Sequence, residues 1–207
     1  MRFTTVRSHF RGWQIVSIQD LRKLDPNFDV RRLVEWQQKG YIKKLVRNCF
    51  VFADISLNEQ ALFVIANAIC TPSYISLETG LAYYQLIPES VYAVTSVTTR
   101  KTIKFHTPTG DFDYRSIKPE LFFGYTAIPY FGQRYRLARM EKAVLDFLYI
   151  NPHLQTGEDF SGFRINTREL LVNLDQRRWE QYVAAFGSRA LAERAKTFRE
   201  FISHDGF

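Results

Sequence analysis

Asp29-Val30-Arg31-Arg32-Leu33-Val34-Glu35-Trp36-Gln37-Gln38-Lys39-Gly40 runs straight into Tyr41-Ile42-Lys43-Lys44-Leu45-Val46-Arg47-Asn48-Cys49-Phe50-Val51-Phe52-Ala53, and this junction decides the fold of the first quarter of the chain. In its first half, Val30, Leu33, Val34 and Gln37 recur at helical spacing, which predicts a helix over 29–39 anchored to a small core by three apolar positions. Gly40 stands where a helix ends in a left-handed residue. Arg31, Glu35 and Gln38 fall on the opposite face, flanked by Arg32 and Lys39. In the second half, two β-branched and aromatic runs flank Arg47-Asn48, which reads as a hairpin with a tight turn.

Upstream, Phe3, Val6 and Phe10 predict a short helix closed by Gly12, and residues 13–16 a short strand. Residues 17–24 read as a second helix, with Ser17 as N-cap and Asp20 at the capping-box position. Asp25-Pro26-Asn27 is a turn that the helix cannot cross. Helix, strand, helix, turn, helix, hairpin is the order of a winged helix-turn-helix, expected over residues 1–57.

Charge agrees with that order. Residues 1–57 hold 11 Lys and Arg against 5 Asp and Glu, whereas residues 58–150 hold 9 against 8 and residues 151–207 hold 8 against 8. Nearly all of the formal +7 therefore sits on the first module, the pattern of a nucleic-acid-binding domain on a neutral body. The third helix is expected in the major groove, with Arg31, Arg32 and Gln38 as base-reading candidates and Lys39 at their flank. Lys43, Lys44, Arg47 and Asn48 on the hairpin, with Ser17 and Gln19 at the head of the second helix, are the phosphate-contact candidates. The bland alternatives are a solvated basic face, with Arg31 and Glu35 as an i, i+4 ion pair, or a winged helix that docks a protein and no DNA.

Downstream, a helix over 58–69 with Leu62, Ile65, Ala66 and Ile69 on its apolar face is expected to bridge to a second domain, residues 58–207. Pro72-Ser73-Tyr74-Ile75-Ser76-Leu77-Glu78-Thr79-Gly80-Leu81-Ala82-Tyr83-Tyr84 reads as an amphipathic helix with Ser76 as N-cap and Thr79 at the capping-box position. Runs at 91–97, 102–106, 112–117, 121–125 and 133–137 predict an antiparallel sheet, and from Arg139 to about His204 the pattern is helical, with breaks at Pro152 and Gly187-Ser188. The fold class is thus α+β.

Catalytic chemistry finds little support. The four histidines are scattered, Cys49 and Cys70 are isolated, and no phosphate-cradling glycine loop occurs, so neither a metal nor a cofactor is expected. Asp111-x-Asp113 resembles a two-metal carboxylate pair but follows Pro-Thr-Gly as a turn. Glu141, Lys142 and Asp146 hold nuclease-type residues, yet they fall on a helix, where Glu141 and Lys142 are expected to be solvated charges. A nuclease or nucleotidyltransferase is the least favoured reading, and an enzyme is not expected. No membrane-spanning run or signal-peptide pattern is visible, so the cytoplasm is the expected compartment.

A set of motifs adds a resemblance. Pro72-Ser73-Tyr74-Ile75-Ser76-Leu77-Glu78, Ala82-Tyr83-Tyr84, Ile87-Pro88-Glu89, Thr95-Ser96-Val97-Thr98-Thr99-Arg100-Lys101, Phe105, Gly110-x-Phe112-x-Tyr114, Leu121-Phe122-Phe123-Gly124 and Ala138-x-x-Glu141-Lys142-Ala143-x-x-Asp146 together resemble the AbiEi-like antitoxins of type IV, abortive-infection toxin–antitoxin systems. The likeness covers residues 72–149. It departs from the family pattern at Gln85, where many members carry Gly, and at Met140, where many carry Pro, both positions that govern helix ends.

The resemblance implies an autorepressor that binds inverted repeats in its own promoter through the amino-terminal domain. The larger domain is then expected to counteract a nucleotidyltransferase toxin without forming a stable complex. Arg100, Lys101, Glu141, Lys142 and Asp146 are the polar motif members and hence the antitoxicity candidates. Their competing reading is ion pairing between strands and helices that holds the fold.

Overall fold

Ser17 begins α2 as the capping box its sequence predicts: its Oγ accepts from the Asp20 amide, and Asp20 Oδ2 accepts from the Ser17 amide. A cap of this kind is worth about 0.5–2 kcal/mol to a short helix. The computed structural model containing it describes residues 1–88 and 92–205, so Glu89 and the expected strand start at Val91 lie outside the described residues.

The first quarter comprises α1 (Phe3–His9), β1 (Ile15–Ser17), α2 (Ile18–Leu24), α3 (Arg32–Gln38), β2 (Ile42–Val46) and β3 (Cys49–Phe52). The strands form an antiparallel sheet in the order β1-β3-β2. Val6, Phe10, Val16, Leu21, Phe28, Leu33, Trp36, Ile42, Phe50 and Phe52 close over one core.

The buried face of α3 differs from its expected one. Leu33 and Trp36 are buried, while Val30 and Val34 are 42% and 55% exposed. Two causes act together. The Arg32, Leu33 and Val34 amides donate to the carbonyls of Asp29, Val30 and Arg31, so the helix opens with tight i→i+3 bonds that shift its phase and delay its start to Arg32. The Trp36 indole then fills the core against Phe3 and Phe28, at ring-centroid distances of 5.4 and 5.6 Å.

Asn58 caps α4 (Glu59–Ile69) by accepting from the Ala61 amide. α4 is buried nearly all round, Ala61 and Phe63 to Asn67 included, because it lies between two sheets. Ile15, Leu45 and Val51 of the three-stranded sheet meet Phe63, Val64, Ile65 and Ala66 of α4. Phe112, Tyr114, Tyr135 and Leu137 of the second sheet complete the same cluster.

That second sheet has six strands in the order β6-β7-β5-β4-β9-β8, from β4 (Ser73–Ile75), β5 (Ala93–Thr98), β6 (Ile103–Thr107), β7 (Gly110–Ser116), β8 (Tyr125–Tyr130) and β9 (Gln133–Ala138). It is mixed, not antiparallel as expected: β5 runs parallel to β7, and β4 parallel to β9. The β6–β7 hairpin inserts β7, its second strand, beside β5, which fixes the parallel pairing. All three residues of β4 are buried, as a central strand covered on both faces requires.

Residues 121–125 do not form the expected strand. Pro119–Leu121 is a single 3-10 turn, Phe122 and Phe123 pack onto the core, and Gly124 at φ +74° turns the chain into β8. The β8–β9 turn reaches back to the first quarter. Gln133 Oε1 accepts from the Gln14 amide at 2.7 Å, and its Nε2 donates to the Ile15 carbonyl at 3.1 Å, so one side chain extends the edge of β1.

Six helices complete the fold: α5 (Leu77–Tyr83), α6 (Met140–Ile150), α7 (Gly157–Ser161), α8 (Thr167–Asn173), α9 (Gln176–Phe186) and α10 (Arg189–Asp205). Ser76 is the N-cap of α5 as expected, but its hydroxyl does not cap it. Thr95 on β5 takes over: its Oγ1 accepts from the Thr79 amide at 2.9 Å, and Thr79 Oγ1 accepts from the Thr95 amide at 2.8 Å. α5 ends in a Schellman turn, with the Leu86 and Gln85 amides donating to the Leu81 and Ala82 carbonyls and Gln85 at φ +57°. Met140 opens α6 at its first helical position. Gln85 and Met140 thus occupy the sites where a helix end favours Gly and a helix start favours Pro. Among the described residues no helix is long and apolar enough to cross a membrane. The fold is α+β.

Candidate functional site

Two sets of polar residues stand out, one facing water and one sealed from it. The first surrounds α3 and the β2–β3 hairpin. Arg31, Arg32, Gln38, Lys39, Lys43, Lys44, Arg47 and Asn48 are all exposed. Asn48 takes a left-handed conformation at φ +67° to close the two-residue turn, and its carbonyl accepts from the Ile18 amide. The turn therefore sits beside the start of α2, with exposed Gln19 one residue further on.

Within this set the cations differ. Arg31 donates through Nε to both Asp29 oxygens at 3.0 Å, which holds the Asp29 carboxyl below its ordinary range. Lys39 donates to Glu35 at 2.7 Å, and Arg32 lies 3.7 Å from the same carboxylate. The Arg31–Glu35 pairing of the bland alternative does not form; these three contacts stand in its place. Lys43, Lys44 and Arg47 have no ion-pair partner among the described residues, and so are the uncompensated cations of this set. Ser17 is committed elsewhere: its hydroxyl donates to Asp20 at 2.6 Å, so it is a cap and not a free phosphate donor.

The second set corrects the expectation that Glu141 and Lys142 are solvated. Glu141 is 1% exposed, and Lys142 and Asp146 are fully buried. Lys142 donates to Asp146 Oδ1, one turn along α6, and to the Tyr74 hydroxyl at 2.9 Å. Tyr74 and Ser76 each donate to Asp146 Oδ2 at 2.9 Å. Burial lowers the Lys142 ammonium from its ordinary value and raises the Asp146 carboxyl from its own, each effect opposed by the partner charge. The ammonium also lies 4.6 Å and 4.9 Å from the ring centroids of Phe186 and Phe123. Glu141 accepts from the Asp175 amide at 2.9 Å and from Arg178 at 3.3 Å, tying α6 to the head of α9.

The five antitoxicity candidates are accordingly not brought together. Three are buried on α6, where Lys142 and Asp146 bond each other as well as Tyr74 and Ser76, and Glu141 bonds the head of α9. Arg100 and Lys101 are instead exposed at the β5–β6 connection. Arg100 faces a cleft of about 360 Å³ that it shares with Gln19, Asn48 and Asp20 of the first quarter. Sequence reasoning missed this proximity, as it missed Tyr74 and Ser76 as partners of α6 and Gln133 as the link to β1.

Catalytic groupings are not assembled in the described residues. Asp111 pairs with His106 at 3.0 Å and Asp113 with Lys104 at 2.6 Å, both across the β6–β7 hairpin. Among the described residues no group of three His, Cys, Asp or Glu side chains is placed to hold a metal ion. Cys49 is half-buried, with its thiol raised by burial, and Cys70 is buried. No protein-family model matches this chain, and no curated protein is significantly similar to it.

Proposed function

We propose that the first quarter of the chain is a winged helix-turn-helix that binds double-stranded DNA, and that the protein represses its own promoter as the antitoxin of a type IV system. The observation that carries the DNA-binding part is the row of Lys43, Lys44 and Arg47, exposed and without acidic partners beside a helix that presents Arg31, Arg32 and Gln38. α3 would enter the major groove, and the β2–β3 hairpin would lie along the phosphates. The antitoxin role rests on the resemblance of residues 72–149. It places a nucleotidyltransferase toxin as functional partner, counteracted without a stable complex.

A mobility shift on the DNA upstream of the protein's own gene tests the first part. Binding that weakens steeply with salt, and is lost when Lys43, Lys44 and Arg47 are all changed to Ala, supports it. Salt-insensitive binding, or none, rejects it. Survival of cells that express a nucleotidyltransferase from the neighbouring gene, with and without this chain, tests the second part.

One observation favours a second reading, a protein-docking module: Val30 just before α3 and Val34 on it are exposed, and Arg31, Arg32 and Lys39 all contact local carboxylates.

A further inference from the structure

Val30 and Val34 are exposed and belong to none of the apolar clusters among the described residues. Both are β-branched, and the core position their periodicity suggests is filled by Leu33 and Trp36. On α3 Val34 lies one helical turn before Gln38, with Arg31 at the N-cap and Val30 in the turn that leads into the helix. Two apolar side chains thus sit within a strip of exposed hydrogen-bonding groups, beside a hairpin rich in unpaired cations.

The surrounding charge decides what can cover this strip. Lys43, Lys44 and Arg47 are complementary to an anionic partner, and the duplex major groove combines phosphates at its walls with one apolar feature on its floor, the thymine C5-methyl group. Gln38 adds the amide that pairs with the N6 and N7 edge of adenine. Building on the DNA-binding reading above, we infer that Val34, assisted by Val30, is the specificity residue of the interface and reads a thymine methyl. The bound half-site then carries thymine under Val34, beside an adenine read by Gln38.

The experiment uses the full chain and a duplex of about 30 base pairs enriched from a random library, in which each thymine is replaced in turn by deoxyuridine. The exchange removes one methyl group and leaves every hydrogen-bonding edge intact. Removing a buried methyl corresponds to a roughly fourfold change in affinity, so a single replacement is expected to weaken the wild-type chain about three- to fivefold. Val34→Ala is expected to bind the thymine and deoxyuridine duplexes equally, at the level of wild type on the latter. Lys44→Ala is expected to weaken both duplexes by one factor, which preserves their ratio.

Equal wild-type affinity for every deoxyuridine duplex overturns the thymine assignment and leaves DNA binding standing. Failure to enrich any sequence, together with no binding to duplex DNA, overturns the DNA reading itself. A loss of self-association in free Val34→Ala, measured by sedimentation, shows that the strip is a contact between copies and also overturns the assignment.

Discussion

Lys142 donates to Asp146 one turn along α6, and both side chains are sealed from solvent with Tyr74 and Ser76 as their other partners. Three donors converge on the two Asp146 oxygens, Lys142 on Oδ1 and Tyr74 with Ser76 on Oδ2. This geometry joins two motifs of the resemblance, 74–76 and 142–146, in one structural unit: the pair ties β4, at the centre of the sheet, to the helix that covers it.

Removing one member strands the other. Asp146→Ala or Lys142→Met alone is expected to cost about 3–5 kcal/mol, whereas the combined Lys142→Met, Asp146→Leu variant should recover most of that loss. Urea unfolding of the three variants measures this. A double variant no more stable than the singles would show that the pair contributes through its charge and not through the cost of breaking it.

Gln85 sits at φ +57° in the Schellman turn of α5, and a left-handed conformation costs a non-glycine residue about 1–2 kcal/mol. Its side chain is exposed, so little packing opposes a change. Gln85→Gly is expected to stabilise the protein by about 1 kcal/mol, read as a higher urea midpoint at unchanged slope. A lower midpoint would mean that the side chain contributes more than its backbone costs.

The features that were legible in the sequence are those set by neighbours a few residues apart. Ser17 and Asp20 cap one another at a spacing of three, and the Arg47-Asn48 turn is two residues long. What was not legible depends on distant partners. Glu141 and Lys142 look like surface charges until Tyr74, 72 residues before Asp146, and Arg178 on α9 are folded against them. β4 has only three residues and no alternation, because both of its faces are covered. Val34 and Trp36 compete for one core position, and the tight start of α3, invisible to a fixed helical period, settles the phase.

Asp29 competes with DNA for Arg31. Asp29→Asn removes the negative charge, while its amide oxygen can still accept from the Arg31 amide as Oδ1 now does at 3.0 Å. The guanidinium is then free to face a phosphate or a guanine. The variant is expected to bind duplex DNA several-fold more tightly, with a steeper dependence on salt. Weaker binding in an anisotropy titration would indicate that Asp29 orients Arg31 for its contact.

High pH should unfold the protein through its buried phenols. Burial, then Tyr83 and Glu141, push Tyr84 up to about 12, and burial drives Tyr114 upward too; their hydroxyls donate to the Ala138 and Ala66 carbonyls. An unfolded tyrosine ionises near about 10, so below that pH the contribution is fully present. As pH rises through the Tyr84 window toward about 12, the unfolded state releases protons that the native state retains, and stability falls. Urea midpoints at intervals from pH 8 upward should show this decline, shallower in Tyr84→Phe. Equal slopes in both proteins would remove Tyr84 from the account.

Arg100 faces Gln19 and Asn48 across the cleft between the sheet and the first quarter, with no ion-pair partner among the described residues. Its position beside the β2–β3 turn aligns it with the backbone contacts proposed for that turn, so the interface need not end at residue 57. The shared core of Ile15, Leu45 and Val51 with α4 argues the same way, since cutting the chain there would strip apolar cover from Phe63 and Val64. Arg100→Ala in the full chain is expected to weaken duplex binding several-fold and to reduce the slope of log K against log salt by about 0.9, one phosphate contact. Lys101→Ala serves as the comparison, an exposed neighbour that does not line the cleft. If both variants keep the wild-type slope while Lys44→Ala lowers it, Arg100 lies outside the DNA footprint and remains the more accessible of the antitoxicity candidates, to be tested by protection of toxin-expressing cells.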